Sequence, residues 1–278
     1  MSATSELSSF ICTACGTQFP EASEPPPSCA ICGDARQFVP PSGQQWTTAR
    51  ALRASHRNAF QQYEPNLIGI GTVPEFAIGQ RALLLRTPEG NFLWDCISLL
   101  DEATVEIVHA LGGLRGIAIS HPHFYSAMLE WSDAFGRVPI YLHAKDREWV
   151  MRKGDAIVFW DGPQRQLADG VTLVHCGGHF PGGTALHWAQ GAGGGGALLT
   201  GDILSVMPDG FVTFMYSYPN AIPLSAAAVQ GIAAAVEPFA YDRVYGGWWD
   251  RVIPRNAKAI VHESVNRYVA ALTSEAKK

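Results

Sequence analysis

The sequence predicts an α/β protein in which two sheets pack face to face with helices outside, preceded by a small metal-binding module. Three observations lead there. Four of the six cysteines fall in two C-x-x-C units near the N-terminus, Cys12/Cys15 and Cys29/Cys32, while Cys96 and Cys176 stand alone. Beyond residue 65, strand-like apolar segments outnumber helical ones, and the helices recur at similar places in two halves, the element pattern of stacked sheets with outer helices. At 278 residues and 47% hydrophobic composition, the chain can bury one full core and carry a small appendage.

Composition narrows the function classes. A net charge of −5 and a pI near 6.0, with no long Lys/Arg run, give no electrostatic footprint for nucleic acid. Gly, Pro or charge interrupts the longest apolar stretches within about a dozen residues, so no membrane span is expected. Met1–Leu7 lacks a basic start followed by an apolar block, which speaks against a secretory leader, and a soluble, cytoplasmic protein is expected. In that compartment paired C-x-x-C units argue for a metal rather than disulfides.

Residues 8–40 form the module. Cys12-Thr13-Ala14-Cys15-Gly16 is one knuckle, and thirteen residues later Cys29-Ala30-Ile31-Cys32-Gly33 repeats it. Each turn aims two thiolates at one point, its glycine supplying the backbone angle, and two turns complete a tetrahedron. The knuckles, with Glu24-Pro25-Pro26-Pro27 between them, resemble those of rubredoxin-like modules or zinc ribbons. Zinc is expected, with iron the alternative, because both accept four thiolates. So short a module has almost no core of its own, so the metal supplies most of its folding free energy, on the order of 10–16 kcal/mol. A structural staple is favoured over electron transfer, since no flavin or haem motif accompanies it.

Pro40-Pro41-Ser42-Gly43 marks a boundary, and residues 41–64 read as a linker with a helix over 47–60. The body, 65–274, opens with strands at 67–70 and 81–86, the latter paired as a hairpin with 92–95. Asp101 caps a helix that Gly112-Gly113 stops, and a strand at 116–119 leads into Ser120-His121-Pro122-His123. Two histidines one residue apart on extended chain project to the same side and can converge on one cation beyond the strand end. Helices at 127–135 and 144–152 and strands at 138–142, 157–160, 165–167 and 171–175 follow. A loop dense in glycine, 176–183, carries His179. A hairpin of 184–189 and 197–200 encloses the tip Gly191–Gly196, which is no phosphate cradle because no Lys-Ser/Thr follows it, and ends in Thr200-Gly201-Asp202. Ser225 caps an alanine-rich helix to residue 239, 243–247 is a last strand and turn, and 256–274 a closing helix.

Over 65–270 these motifs resemble the metallo-β-lactamase superfamily, which implies a four-layer αββα sandwich. Asp95, ending a hairpin, is similar to an Asp that supports the family's metal ligands from behind. His121-Pro122-His123 resembles the opening of H-x-H-x-D-H, Gly178-His179-Phe180-Pro181-Gly182 the G-H-T-P-G loop, and Thr200-Gly201-Asp202 the strand end whose Asp bridges two metals. Tyr125-Ser126 replace the D-H, and Gly247-Trp248, followed by Trp249, replaces a late G-H. Those three positions belong to the family's second metal site. His121, His123, His179 and Asp202 remain, the composition of a catalytic zinc site with one open position, so one zinc is expected here. Asp202 either ligates it or holds its water as a base, and Tyr125 is a donor for an oxyanion. Glu130 or Asp133, on the following helix, could replace a lost ligand.

The resemblance implies a mono-zinc hydrolase in which metal-bound hydroxide attacks an ester, thioester or lactone carbonyl. The lost ligand positions support an alternative, a catalytically degenerate binding or scaffolding module. A redox role like that of diiron flavoproteins ranks last, since the flavodoxin domain and the diiron carboxylates are missing. Aromatics over 211–218 and at Trp248-Trp249 suggest a small substrate that is apolar or flat, and a homo-oligomer is open. His143 and His187 are expected as core or supporting groups, His56, His109 and His262 as surface residues, His175 as turned away from the loop, and Cys176 as an unreactive thiol.

Overall fold

A two-residue turn joins the first two strands of the large sheet. Pro65-Asn66 closes a tight hairpin, and the eight residues before it pair antiparallel with the strand after it, from Glu64↔Leu67 to Arg57↔Val73. The computed structural model describes residues 7–273. Residues 1–6, read above for a leader, and 274, the expected end of the closing helix, lie outside the described residues.

The chain divides into two units. The first takes everything up to Tyr141 together with Arg147–Val158, and the second takes Leu142–Asp146 and everything from Phe159 onward. The first unit opens with β1 (Ser8–Cys12), β2 (Gln18–Ala22) and β3 (Trp46–Thr48), an antiparallel sheet of order β2-β1-β3. Around the four buried cysteines this module packs Phe19 and Ile31, with Trp46 edge-on to Phe19, and it borrows Trp149 and Met151 from later in the same unit.

The helix expected over 47–60 is a single short one, α1 (Ala49–Ser55), capped by the Thr48 hydroxyl. The chain turns extended at His56 and continues as β4 (Arg57–Glu64) against β5 (Leu67–Val73). Weak helix propensity yields here to a waiting strand edge, against which one side of the segment's backbone pairs. β6 (Arg81–Leu85), β7 (Phe92–Trp94), α2 (Glu102–Ala110), β8 (Gly116–Ala118), α3 (Met128–Ala134), β9 (Ile140–His143) and β10 (Ile157–Trp160) complete a seven-stranded sheet, order β10-β9-β8-β7-β6-β5-β4. Pairing is antiparallel from β4 to β7 and parallel from β7 to β9. β6, β7 and β8 are buried at every position, as strands covered on both faces must be. The helix expected over 144–152 is only a 3-10 stretch, Ala144–Trp149.

In the second unit, β11 (Gln164–Ala168), β12 (Val171–His175), β13 (Thr184–Trp188) and β14 (Ala197–Gly201) form an antiparallel meander. Two small hairpins, β15 (Ser205–Val206) with β16 (Val212–Thr213) and β17 (Met215–Ser217) with β18 (Ile222–Pro223), fill a stretch for which the sequence suggests no element. α4 (Ala226–Val236) crosses over to β19 (Arg243–Gly246), which joins β14 in parallel, and β20 (Val252–Ile253) closes the sheet before α5 (Ala257–Thr273). Val229, Ile232 and Val236 of α4 and Val261 and Val265 of α5 share a core with Leu198 and Val244 of the sheet. Among the described residues, no helix is long and apolar enough to cross a membrane.

Candidate metal centres

The thiolate group forms where the knuckles predict it. Cys12, Cys15, Cys29 and Cys32 are buried, with Sγ···Sγ distances of 3.6 Å for Cys12–Cys32 and for Cys15–Cys29. A disulfide would bring sulfurs to about 2.05 Å. A tetrahedron of about 2.3 Å metal–sulfur bonds has edges of about 3.8 Å, so the spacing fits one zinc or iron ion across both knuckles. Hydrogen bonds from Cys15, Cys29 and Cys32 hold the Cys12 thiol well below its ordinary range, and the Gln44 amide donates to Cys12 Sγ at 3.1 Å.

The second set of donors is His121 and His123 in the first unit and His179 and Asp202 in the second, and all four are buried. His121 follows the end of β8, where the chain leaves the ladder and tightens into the 3-10 turn Pro122–Phe124 that carries His123. Asp95 supports this corner from the end of β7. It adopts a left-handed conformation (φ 59°), which Asp tolerates better than most residues, and its Oδ1 accepts the Ser120 N–H at 2.8 Å. Burial raises the Asp95 carboxyl to about 7, opposed by the Ser120 amide and hydroxyl. Ser120 Oγ in turn lies 2.9 Å from His121 Nδ1. His179 Nδ1 lies 3.0 Å from the Met215 carbonyl. A carbonyl only accepts, so Nδ1 carries the proton and Nε2 presents its lone pair, the tautomer a metal ligand needs. Three imidazoles and a carboxylate, all buried, are a donor set that suits zinc. The Tyr218 hydroxyl donates to the Asp202 carbonyl at 2.6 Å and secures the end of β14.

No protein-family model matches the sequence. A curated relative does, the uncharacterized protein YmaE of Bacillus subtilis strain 168, 46% identical over 269 residues, 96% of this chain and 97% of that one. The chain belongs to the YmaE family. Among solved structures it is similar to VMB-1 (TM-score 0.59, 11% identity, 78% of this chain and 99% of that one). It is similar also to the metallo-β-lactamase DIM-1 (TM-score 0.57, 12% identity, 78% of this chain and 98% of that one). This YmaE-family chain thus has the α/β metallo-β-lactamase fold, with a four-cysteine group near its N-terminus.

Neither carboxylate weighed as a substitute ligand joins the histidine group of the YmaE-family chain. Glu130 accepts from Gln18 Nε2 at 2.5 Å and faces Arg152 at 3.9 Å, while Asp133 pairs with Arg137 at the surface. Tyr125 is buried and borders Thr17 and Gln18 of the module. His187 is a core residue bonded to the Ala240 carbonyl, and burial pushes the Cys176 thiol up to about 12, which keeps it unreactive. His175 has more to do than its alternation suggests: its ring stacks on His143 (4.0 Å, 7°) and its Nε2 reaches the Pro181 carbonyl at 2.8 Å. Sequence reasoning missed Asp146, whose buried Oδ1 accepts the Gly182 N–H at 2.7 Å and braces the loop that carries His179. Only glycine fits there, since a Cβ on Gly182 would lie 2.6 Å from the carboxyl carbon. The glycines of the loop were a signal of close backbone approach, but nothing pointed to the partner.

Proposed function

We propose that this chain is a metal-dependent hydrolase using a single zinc at His121, His123 and His179 to open an ester, thioester or lactone carbonyl of a small, apolar or flat substrate. The observation that carries the reading is that His121, His123, His179 and Asp202 are all buried, and the resemblance supports a single metal, since Tyr125, Ser126 and Trp248 replace the residues it implies for a second. When bound, zinc supplies Lewis acidity and lowers the pKa of a coordinated water to about 7.

The chain's residues do the rest. The Met215 carbonyl holds the proton on His179 Nδ1, so that ring keeps Nε2 for the metal, while Asp95 holds the Ser120 backbone and the Ser120 hydroxyl orients the His121 ring. Asp202 either completes the ligand set or accepts the proton of the attacking water. Tyr125 is assigned the hydrogen bond to the oxyanion. The four-cysteine module holds a structural zinc, with iron the alternative.

The test is His123→Ala in the full chain, assayed against aryl esters, thioesters and lactones with elemental analysis alongside. Turnover and one metal per chain should be lost together; turnover that survived would end the proposal. The replaced second-site positions favour one other reading, a binding or scaffolding module. Tight metal uptake at the histidines without turnover of any carbonyl substrate would support it instead.

A further inference from the structure

Four residues after the first cysteine, the module's knuckle loop touches the segment that carries the histidines. Residues 16–18 are part of the thiolate turn itself: Cys12 N donates to Thr17 O at 3.0 Å, Gly16 N donates to Cys12 O at 2.9 Å, and Cys15 Sγ lies 3.3 Å from Thr17 Oγ1. The Gly16 carbonyl accepts the Ser98 hydroxyl at 2.7 Å. Gly16 has φ +79° and a Cβ there would lie 2.5 Å from Ser98 Oγ, so neither the turn nor the approach tolerates another residue.

Gln18 makes the decisive contacts. Its backbone N–H donates to the carbonyl of Ser126 at 3.2 Å, three residues beyond His123. Its side-chain amide spans Glu130 and Arg152, donating to Glu130 Oε1 and accepting from Arg152 Nη1, each at 2.5 Å. Ser126 is a non-glycine residue in the left-handed region (φ +42°), a conformation that persists only where its surroundings impose it. The other side of Ser126 is held as well. Gln80 Nε2 donates to Ser126 Oγ at 2.9 Å and to the Cys96 carbonyl at 3.3 Å, next to the Asp95 that holds Ser120. The turn His121–Ser126 is thus gripped at both ends, by Asp95 through Ser120 and by the module through Ser126. The cavity left between Thr17, Gln18, Tyr125 and Ser126 is about 10 Å³, room for no more than one water.

We infer that the four-cysteine module is the clamp that sets the His121–His123 turn, with Gln18 and Ser126 as positioning residues, so that the thiolate metal and the histidine metal bind cooperatively. The inference rests on the metal reading of the histidines. Its physical cause is short: the knuckle loop owes its shape to the cysteine-bound metal, and without that metal residues 16–18 no longer hold Ser126 in a conformation it would otherwise leave. Coupling of this kind is reciprocal, so metal at the histidines also tightens metal at the cysteines.

The test uses the full chain with zinc on the cysteines and Co²⁺ titrated into the histidine group, read by its visible d–d absorption. Gln18→Ala keeps all four cysteines and should weaken Co²⁺ binding about tenfold, as loss of a supporting contact behind metal ligands does. Cys29→Ser, which releases the thiolate metal, should weaken it more, and His123→Ala should let a chelator strip the cysteine-bound zinc faster. Wild-type Co²⁺ affinity in Gln18→Ala would overturn the clamp, and this variant decides alone if Cys29→Ser fails to fold. Absence of Co²⁺ uptake by the wild-type histidines would overturn the metal reading and the clamp together; uptake that the variants leave unchanged overturns only the clamp.

Discussion

Cys12 and Cys32 bound a stretch of twenty-one residues, whereas His121 and Asp202 bound one of eighty-two. The first donor group needs two local turns and an ion, and its ligands are all of one type at one repeated spacing. The second needs strand ends, a 3-10 turn and a glycine loop placed independently, and its ligands come with a retinue: Ser120 and Asp95 behind His121, Met215 behind His179, Tyr218 at the Asp202 backbone. A local site therefore answers chiefly to its metal, and a long-range site to the residues that hold its ligands still.

The sharpest way to break that contrast is to remove one thiolate. Cys29→Ser should cost the chain its cysteine-bound metal and with it most of a folding contribution on the order of 10 kcal/mol, leaving residues 8–48 open to limited proteolysis. Elemental analysis and digestion patterns read this, and a variant that kept the metal on three cysteines and resisted protease would show that Phe19, Ile31 and Trp149 already make a sufficient core. Next in size is Asp95. Asp95→Ala removes the acceptor of the Ser120 N–H and places alanine at φ 59°, and should weaken metal at the histidines by about 10- to 100-fold. Asp95→Asn, which tolerates that backbone and keeps an oxygen acceptor, should recover most of the affinity; equal losses in both variants would mean that charge rather than positioning matters.

A different kind of effect is a pH dependence in the strand that ends at His143. Burial first, and the stacked His175 second, hold the His143 ring down to about 4, with Lys145 acting in the same direction and the Gly162 carbonyl and Asp161 against it. The folded ring is neutral where the unfolded one, with its pKa near 6.5, is not. The stability this contributes is therefore complete above about pH 6.5 and lost as the pH falls toward 4, by at most about 1.4 kcal/mol per unit. Denaturant midpoints measured across that window should fall less steeply in His143→Phe than in the wild type. Parallel slopes would show that the ring titrates normally.

Much of this was legible in advance for definite reasons. The knuckles, the H-P-H at the end of β8, the His179 loop and the T-G-D at the end of β14 are short motifs whose chemistry is local, and each turned up where its residues implied. Helices α2 and α4 announce themselves through Asp101 and Ser225, side chains that cap the first turn. Strand β4 did not, because nothing within 57–64 outweighs weak helix propensity; only the partner strand beyond Pro65-Asn66 does. The 3-10 stretch at Ala144–Trp149 was likewise hidden, since its Asp146 is committed to Gly182, thirty-six residues away. Glu130 follows the two histidines on a helix, where sequence allows it as a substitute ligand, but Gln18 and Arg152 claim its carboxylate.

By itself the sequence determined which side chains could hold a metal, because donor type and spacing are properties of the chain read in order. Only the tertiary structure decided what holds those side chains in place. Ser120, Asp95, Gln18, Ser126 and Asp146 act through contacts with residues distant in the chain, and a hydrogen bond of that kind leaves no periodicity or motif to read.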